Sequence, residues 1–314
     1  MNSFFYTKKC GTILATGKDR VDFFNRMSTA ELKNLKPDEW ARTIFTSDKG
    51  RIVDVVIVID KEESSLLLTT EHYEEILIAH LDKYIIMDDV ALTISQNHFH
   101  SLIISSDDVS VEKRLSEYFG GIPSENKYIA KESHSFLLKD NFKYPKFLIY
   151  TTEENILPIK ELFPELIKLG DDEYELFRIK MGIGEGKNEF NDLINPKELN
   201  FEELISYTKG CYIGQEVIAR LDSQGKIPKK LVKIVSDTMI SKNDKVFLSE
   251  EQKDLPPHRQ NQAGKEVGFI SSAVTEGDKT YALGIIRAAS LFADKKYYVA
   301  RDERKIEINL ELIF

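Results

Sequence analysis

Up to Gly225 the apolar positions alternate between two spacings. In "DRVDFFNRMSTAEL" Val21, Phe24 and Met27 recur at helical intervals, while "ARTIFTS", "IVDVVIVID" and "SLLLTT" are short β-branched runs that predict strands. "YEEILIAHLDKYI" predicts an amphipathic helix with Ile76, Leu77, His80, Leu81 and Tyr84 on one face. Strands over "VALTIS" and "SLIISS" follow, then a helix over "SVEKRLSEYFGG" with Ser110 as N-cap and glycines past its end. "KFLIYTT" predicts another strand, and "DDEYELFRIKMGIG" a helix that stops in glycines. Strands and helices in this mixed order, joined by hairpin-length gaps, predict α+β subdomains rather than a doubly wound sheet.

After Gly225 the texture changes. "KKLVKIVS", "DKVFLS", "KEVGFISSAV", "TYALGIIRA", "KKYYVA" and "KIEINLELI" are short strand-like runs separated by turn-formers such as "TEGDK" and "DLPP". With no long helix between them, they predict a small antiparallel barrel or sandwich. The expected division is a first region over 1–225 and a barrel domain over 226–314.

Composition narrows the function classes. A chain of 314 residues exceeds what one core usually serves, and 42% hydrophobic with 30% charged residues is ordinary globular material. The formal charge of -9 argues against general nucleic-acid binding, which needs a basic surface for counterion release, and leaves room for a small basic pocket. No run approaches the roughly 20 apolar residues that span a bilayer, and the first residues lack the basic, acid-poor character of a transit peptide. Cys10 and Cys211 are the only cysteines. They cannot build a disulfide framework or supply the four thiolates of an iron–sulfur cluster, so a reducing cytoplasm and no intrinsic metal are expected.

The candidate chemistry centres on "KGCYIGQEVIAR". Val217, Ile218 and Leu221 predict a helix beginning near Gly214, which puts Cys211 just ahead of a helix N-terminus, where dipole and free amides favour a thiolate. Lys209 would add positive charge, Glu216 would oppose it, and Gly210 and Gly214 permit close backbone approach. A tight turn with a small buried cysteine satisfies the same residues. Elsewhere the signals are weaker. His98 and His100 share a strand face in "NHFH", but no zinc pattern accompanies them. "GIGEG" follows a helix, whereas a dinucleotide loop follows a strand. Glu198, in "NPKELNFEEL", is either a solvated surface glutamate or a pocket carboxylate able to accept two parallel hydrogen bonds from a pteridine or guanine edge.

Lys209, Gly210, Cys211, Tyr212, Ile213, Gly214, Gln215 and Glu216 match in full the Lys-Gly-Cys-Tyr-x-Gly-Gln-Glu signature of the YgfZ-type folate-binding proteins. The resemblance covers nearly the whole chain. Asp19-Arg20, Asn25-Arg26, Thr29, Leu35-Lys36-Pro37 and Lys49-Gly50-Arg51 fall on pattern positions shared with the glycine-cleavage T-protein, and Arg178 and Gly182 match the helix before the folate loop. The resemblance implies two interwoven α/β subdomains forming a folate site, followed by a C-terminal antiparallel β-barrel. It further implies a cytoplasmic, tetrahydrofolate-binding accessory protein (the ligand being tetrahydrofolate or a one-carbon derivative) that supports assembly or repair of iron–sulfur proteins. Its partners would be folate and iron–sulfur client or assembly proteins, with the Cys211 thiol in the working role. Glu198 becomes the pterin anchor, and Lys229 or Lys230 falls at the folate-tail position, where a cation neutralises a carboxylate.

Two departures matter. The T-protein carries paired aspartates after its glycine-rich hairpin, the second being the catalytic acid; here the first is Asp54 and the second position is Val55. Valine cannot shuttle a proton, which disfavours the alternative of a folate-dependent aminomethyltransferase. Gly184 stands where the family typically has proline.

Overall fold

The computed structural model describes residues 3–96, 99–106, 108–132, 134–249, 264–292, 295–301 and 304–313. It contains two compact units, one of residues 1–170 with 203–215, the other of 171–202 with 216–314.

The first unit holds two sheets. β1 (Phe4–Lys9) and β2 (Gly11–Thr16) are separated by Cys10 alone and belong to different sheets, so the chain changes layer at that residue. This single-residue crossing interweaves the two α/β halves. β2 joins β3 (Trp40–Thr46), β4 (Ile52–Asp60), β5 (Ser64–Thr69) and β6 (Ala91–Ile94) in a five-stranded sheet of order β3-β4-β5-β2-β6. α1 (Arg20–Met27) lays Phe23, Phe24 and Met27 on this sheet against Ile13, Val56, Val58 and Leu67. α2 (Glu74–Leu81) adds Leu77 and Leu81. Each such fully buried side chain contributes ~1.5–3 kcal/mol of transfer free energy. The predicted apolar face of α2 is corrected at one point: Ile76 is 52% exposed.

β1 joins β7 (Phe99–Ser105), β8 (Tyr128–Lys131), β9 (Ser135–Asp140), β10 (Lys146–Thr152) and the short β11 (Ile167–Lys168) in a six-stranded sheet of order β11-β1-β7-β10-β9-β8. α3 (Val109–Phe119) and α4 (Ile156–Glu161) cover it, burying Val111, Leu115, Ile156 and Ile159 against Phe5, Leu102 and Ile149. The N-cap of α3 is Asp108, not Ser110: the Asp108 carboxylate accepts from the Ser110 amide at 2.8 Å. A carboxylate one position ahead of the helix outcompetes the serine hydroxyl because it also meets the positive end of the dipole. The helix ends as expected on left-handed Gly120.

In the second unit, α5 (Asp171–Met181) and α6 (Gly186–Glu189) precede a 3-10 turn over Pro196–Leu199, and α7 spans Gln215–Gln224. β12 (Lys229–Ser236), β13 (Lys245–Leu248), β14 (Glu266–Glu276), β15 (Lys279–Arg287), β16 (Tyr297–Arg301) and β17 (Arg304–Leu312) close into an all-antiparallel barrel of order β12-β15-β14-β13-β16-β17. The six runs read from the sequence are these six strands, and closure rather than a sandwich leaves no open edge. Alternate residues, among them Val232, Ile234, Ile270 and Ile286, fill its interior. A buried ionic cluster ties the helical segment to the barrel. Arg178 Nη1 donates to Glu189 Oε2 at 3.2 Å, Arg178 Nη2 donates to Ser272 Oγ at 2.7 Å, and Ser272 Oγ donates to Glu189 Oε1 at 2.8 Å. Among the described residues no helix is long and apolar enough to cross a membrane.

Candidate functional site

The segment carrying Cys211 is built into the first unit by main-chain and side-chain hydrogen bonds on both sides. Upstream, the Ser206 amide donates to Thr29 O at 2.9 Å and Thr29 Oγ1 donates to Leu204 O at 2.7 Å. Downstream, the Ile213 amide donates to Arg26 O at 3.0 Å, and Thr46 Oγ1 donates to Ile213 O at 2.7 Å. Ile213 packs into the core under α1, and Tyr212 is buried. Gly214 has φ +80°, and a Cβ there would lie 2.5 Å from Ser47 O and 2.9 Å from Gly50 Cα in the β3–β4 turn. Gly210 meets no such restriction: an added Cβ finds open space. Of the two motif glycines, only Gly214 is required by the backbone.

Lys209 corrects the expectation of a cation offered to the thiol. It is buried, and its Nζ donates to Asn25 O at 2.6 Å, Ser28 O at 2.9 Å and Ala30 O. These carbonyls close the C-terminal end of α1, where an ammonium meets the negative end of the dipole. Burial pulls the Lys209 ammonium down to about 8. The Nζ also sits 5.2 Å from the centre of the Tyr212 ring, and burial pushes that phenol up to about 12. Lys209 thus clamps the loop, and Tyr212 and Ile213 anchor it.

Between these anchors Cys211 is exposed. The buried-cysteine reading of the motif is therefore set aside. The other thiol contrasts with it: Cys10 Sγ donates to Phe99 O at 3.1 Å, and burial pushes it up to about 12. Gln215 closes the loop on itself, its amide donating to Tyr212 O at 3.2 Å and its Oε1 accepting from the Tyr212 amide at 3.3 Å. Glu216 is exposed in the first turn of α7.

The remaining candidates lie in the second unit. Glu198 is fully buried, which removes the surface-glutamate reading. It belongs to a capping box: its Oε2 accepts from the Asn195 amide at 2.8 Å, while Asn195 Oδ1 accepts from the Lys197 amide at 3.0 Å. Lys197 pairs with Asp222 of α7 at 2.6 Å. The turn bearing Glu198 packs on β12, the strand that starts at Lys229. Lys229 Nζ donates to Leu193 O at 3.1 Å, and Lys230, half-buried, lies opposite Ile286. A carboxylate has about four acceptor positions, so the capping bond uses one of them. A buried carboxylate thus lies on a turn packed against the strand that opens with Lys229 and Lys230.

Asp54 was read only as the neighbour of Val55. It is fully buried, with Oδ1 accepting from the Thr70 hydroxyl at 2.7 Å and the Val55 amide at 2.9 Å, and Oδ2 from the Thr70 amide at 2.9 Å. Burial outweighs these bonds and pushes its carboxyl up to about 7. Its place at the first of the paired-aspartate positions was the sequence signal it carried, and that signal says nothing of its burial or its bonds to Thr70. His100 pairs with Glu153 at 2.9 Å, and its expected neighbour His98 lies outside the described residues. Among the described residues no cluster of three metal-ligating side chains occurs.

No family model matches the chain. A tRNA-modifying protein YgfZ of Hamiltonella defensa is 26% identical over 227 residues, 70% of this chain and 66% of that relative. A tRNA-modifying protein YgfZ of Yersinia enterocolitica is 20% identical over 297 residues, 94% of this chain and 87% of that relative. This chain thus spans just under two thirds of the first relative's length and most of the second's. The solved structure of the glycine cleavage system aminomethyltransferase T of Bartonella henselae superposes with a TM-score of 0.75 over 98% of this chain and 85% of that one, at 13% identity. The chain is thus similar along most of its length to YgfZ proteins and shares the fold of the aminomethyltransferase T.

Proposed function

We propose that this chain binds tetrahydrofolate or a one-carbon derivative and supports the assembly or repair of iron–sulfur proteins, with Cys211 as the group that meets the partner. The observation carrying the reading is the contrast within the motif: three anchored side chains, Lys209, Tyr212 and Ile213, hold an exposed thiol between them. A loop fastened on both sides and ending in an open thiol is organised for contact with something outside the chain. The name shared by the relatives supports a client engaged in tRNA modification.

Folate would be held through Glu198 and through Lys229 or Lys230, the carboxylate taking the ring N–H and exocyclic amine and the cation taking the tail. When bound, the folate would supply a one-carbon carrier; the residues of this chain would bind and orient it. Aminomethyl transfer in the manner of the T-protein is disfavoured, since Val55 offers no proton and both oxygens of Asp54 are engaged by Thr70 and by the Val55 amide. The test has two arms. Cys211→Ala should fold normally and fail to restore iron–sulfur enzyme activity in cells lacking the protein, and full complementation would remove the thiol from the mechanism. Calorimetric titration with tetrahydrofolate should show binding that Glu198→Gln weakens about tenfold, because glutamine keeps an oxygen for the Asn195 cap and loses the charge. Absence of heat at millimolar ligand would sink the folate reading.

A further inference from the structure

The sheet edges of this chain are guarded, with one exception. The barrel closes on itself. β3 is covered by the bridge of Phe45 with Ser28, and the bridge of Glu39 with Lys127 ties the start of β3 to the start of β8. β8 also ends in Lys131, and β11 is two residues long and includes Lys168. β6, the last strand of the five-stranded sheet, is different. Among the described residues it pairs with β2 alone, and residues 90–97, Val-Ala-Leu-Thr-Ile-Ser-Gln-Asn, hold neither a charge nor a proline, the usual guards of an open edge.

The direction of the open groups follows from the β2–β6 ladder. The Ser95 amide donates to Thr12 O at 2.9 Å, so by alternation Ala91, Thr93 and Ser95 turn their backbone groups to β2, and Leu92 and Ile94 turn theirs outward. The side chains of these two residues lie on the apolar face, opposite Ala15 and Ile13 of the core. Leu92 packs on that core, but cover runs out at Ile94, which is 46% exposed. Ile76 of α2, the helix packed on β6, is 52% exposed, and the connection between the two carries Ile86 and Met87 at 85% and 93%. Exposed apolar side chains beside an open edge mark an interaction surface.

We propose that β6 pairs antiparallel with β6 of a second copy of this chain, about a two-fold axis at Thr93, to make one continuous ten-stranded sheet. Copies that share a core face must pair outward residues with outward residues, which this register does. It sets Leu92 against Ile94 twice on the apolar face, with Thr93 against Thr93, Ala91 against Ser95 and Val90 against Gln96. No like charges are opposed, and the half-covered Ile94 gains a cross-strand apolar neighbour. A strand this short gives a small interface, so the pair is expected to be weak and concentration-dependent.

The test is sedimentation equilibrium of the full chain from about 1 to 500 µM, where the mass should rise from that of one copy toward that of two. Ile94→Lys should hold the chain at one copy throughout, while Ile167→Lys, on the exposed β11 of the other sheet, should pair as the native chain does. The register has its own readout. Thr93 stands opposite its counterpart in a non-hydrogen-bonded pair, with Cα atoms about 4.5 Å apart and within disulfide reach. Thr93→Cys in a Cys211→Ser background should therefore give a covalent dimer with diamide, and Val109→Cys in the same background should not. A single copy at every concentration would overturn the proposal, as would a dimer that Ile94→Lys leaves intact. Loss of the dimer in Ile94→Lys with no crosslink through position 93 would overturn the two-fold at Thr93. If the native chain stays single and Ile94→Lys nevertheless fails to restore iron–sulfur enzyme activity in cells, the edge serves another polypeptide and self-pairing is ruled out.

Discussion

Lys209 and Cys211 stand two positions apart and have opposite fates, one buried under three carbonyls and the other open to solvent. Replacing Lys209 with Met leaves the carbonyls of Asn25, Ser28 and Ala30 without their donor, and should cost ~2–4 kcal/mol in urea unfolding. Cys211→Ser should stay within ~0.5 kcal/mol of the native chain. In the folded protein one thiol, Cys211, should react promptly with a maleimide, while Cys10, pushed up to about 12 and bonded to Phe99 O, should react only on unfolding. Prompt modification of both would contradict the shielding of the half-buried Cys10 thiol by its bond to Phe99 O. Asp54 carries a pH signature of definite sign. Its folded value of about 7 lies above the ordinary aspartate value of 3.8, so the folded state holds a proton that the unfolded state has released. Its contribution is full below pH ~4 and is lost as pH rises through about 7. Thermal unfolding between pH 4 and 7.5 should therefore show a fall in stability with pH that Asp54→Asn flattens; an unchanged slope would assign that dependence to other groups.

Among the elements, the loop from Lys209 to Gly214 was legible as a motif and illegible as a shape. Its glycines look equivalent in sequence, yet Gly214 alone combines positive φ with contact against the β3–β4 turn. Gly214→Ala should lose ~2–4 kcal/mol, from left-handed strain plus the clash with Ser47 O, and Gly210→Ala should be close to neutral. Comparing the two denaturation midpoints checks this directly. The same distinction runs through the helices. The periodicity of α1, α3 and α5 was plain because one face of each is apolar, whereas Asp108 displaced Ser110 as the cap of α3 through a choice between neighbouring side chains that spacing does not rank. β1 and β2 were not recognised as strands, since lysines interrupt the apolar run at Lys8 and Lys9 and one residue, Cys10, divides it between two sheets.

For the molecule as a whole, the barrel unit depends on an ionic cluster that joins residues far apart in the chain. Arg178 is 2% exposed and Glu189 is fully buried, so Arg178→Met leaves a buried carboxylate without its cation and should destabilise this unit by ~3–5 kcal/mol. Thermal unfolding followed by tryptophan-independent probes of the barrel, such as amide exchange in β14 and β15, should report the loss; wild-type protection there would show the cluster to be dispensable. Hydrophobic spacing and turn-formers were enough to predict the six barrel strands and the mixed α/β order before them, and resemblance to a family signature picked out the eight-residue motif, because each of these is a local pattern. Which layer β1 and β2 join, the union of residues 171–202 with the barrel strands, the raised carboxyl of Asp54 and the burial of Lys209 were not readable in that way. Lys209 and its acceptor Asn25 are separated by 184 positions. Whether a lysine is a free charge or a buried clamp depends on which backbone carbonyls arrive around it, and those arrive only when distant segments pack.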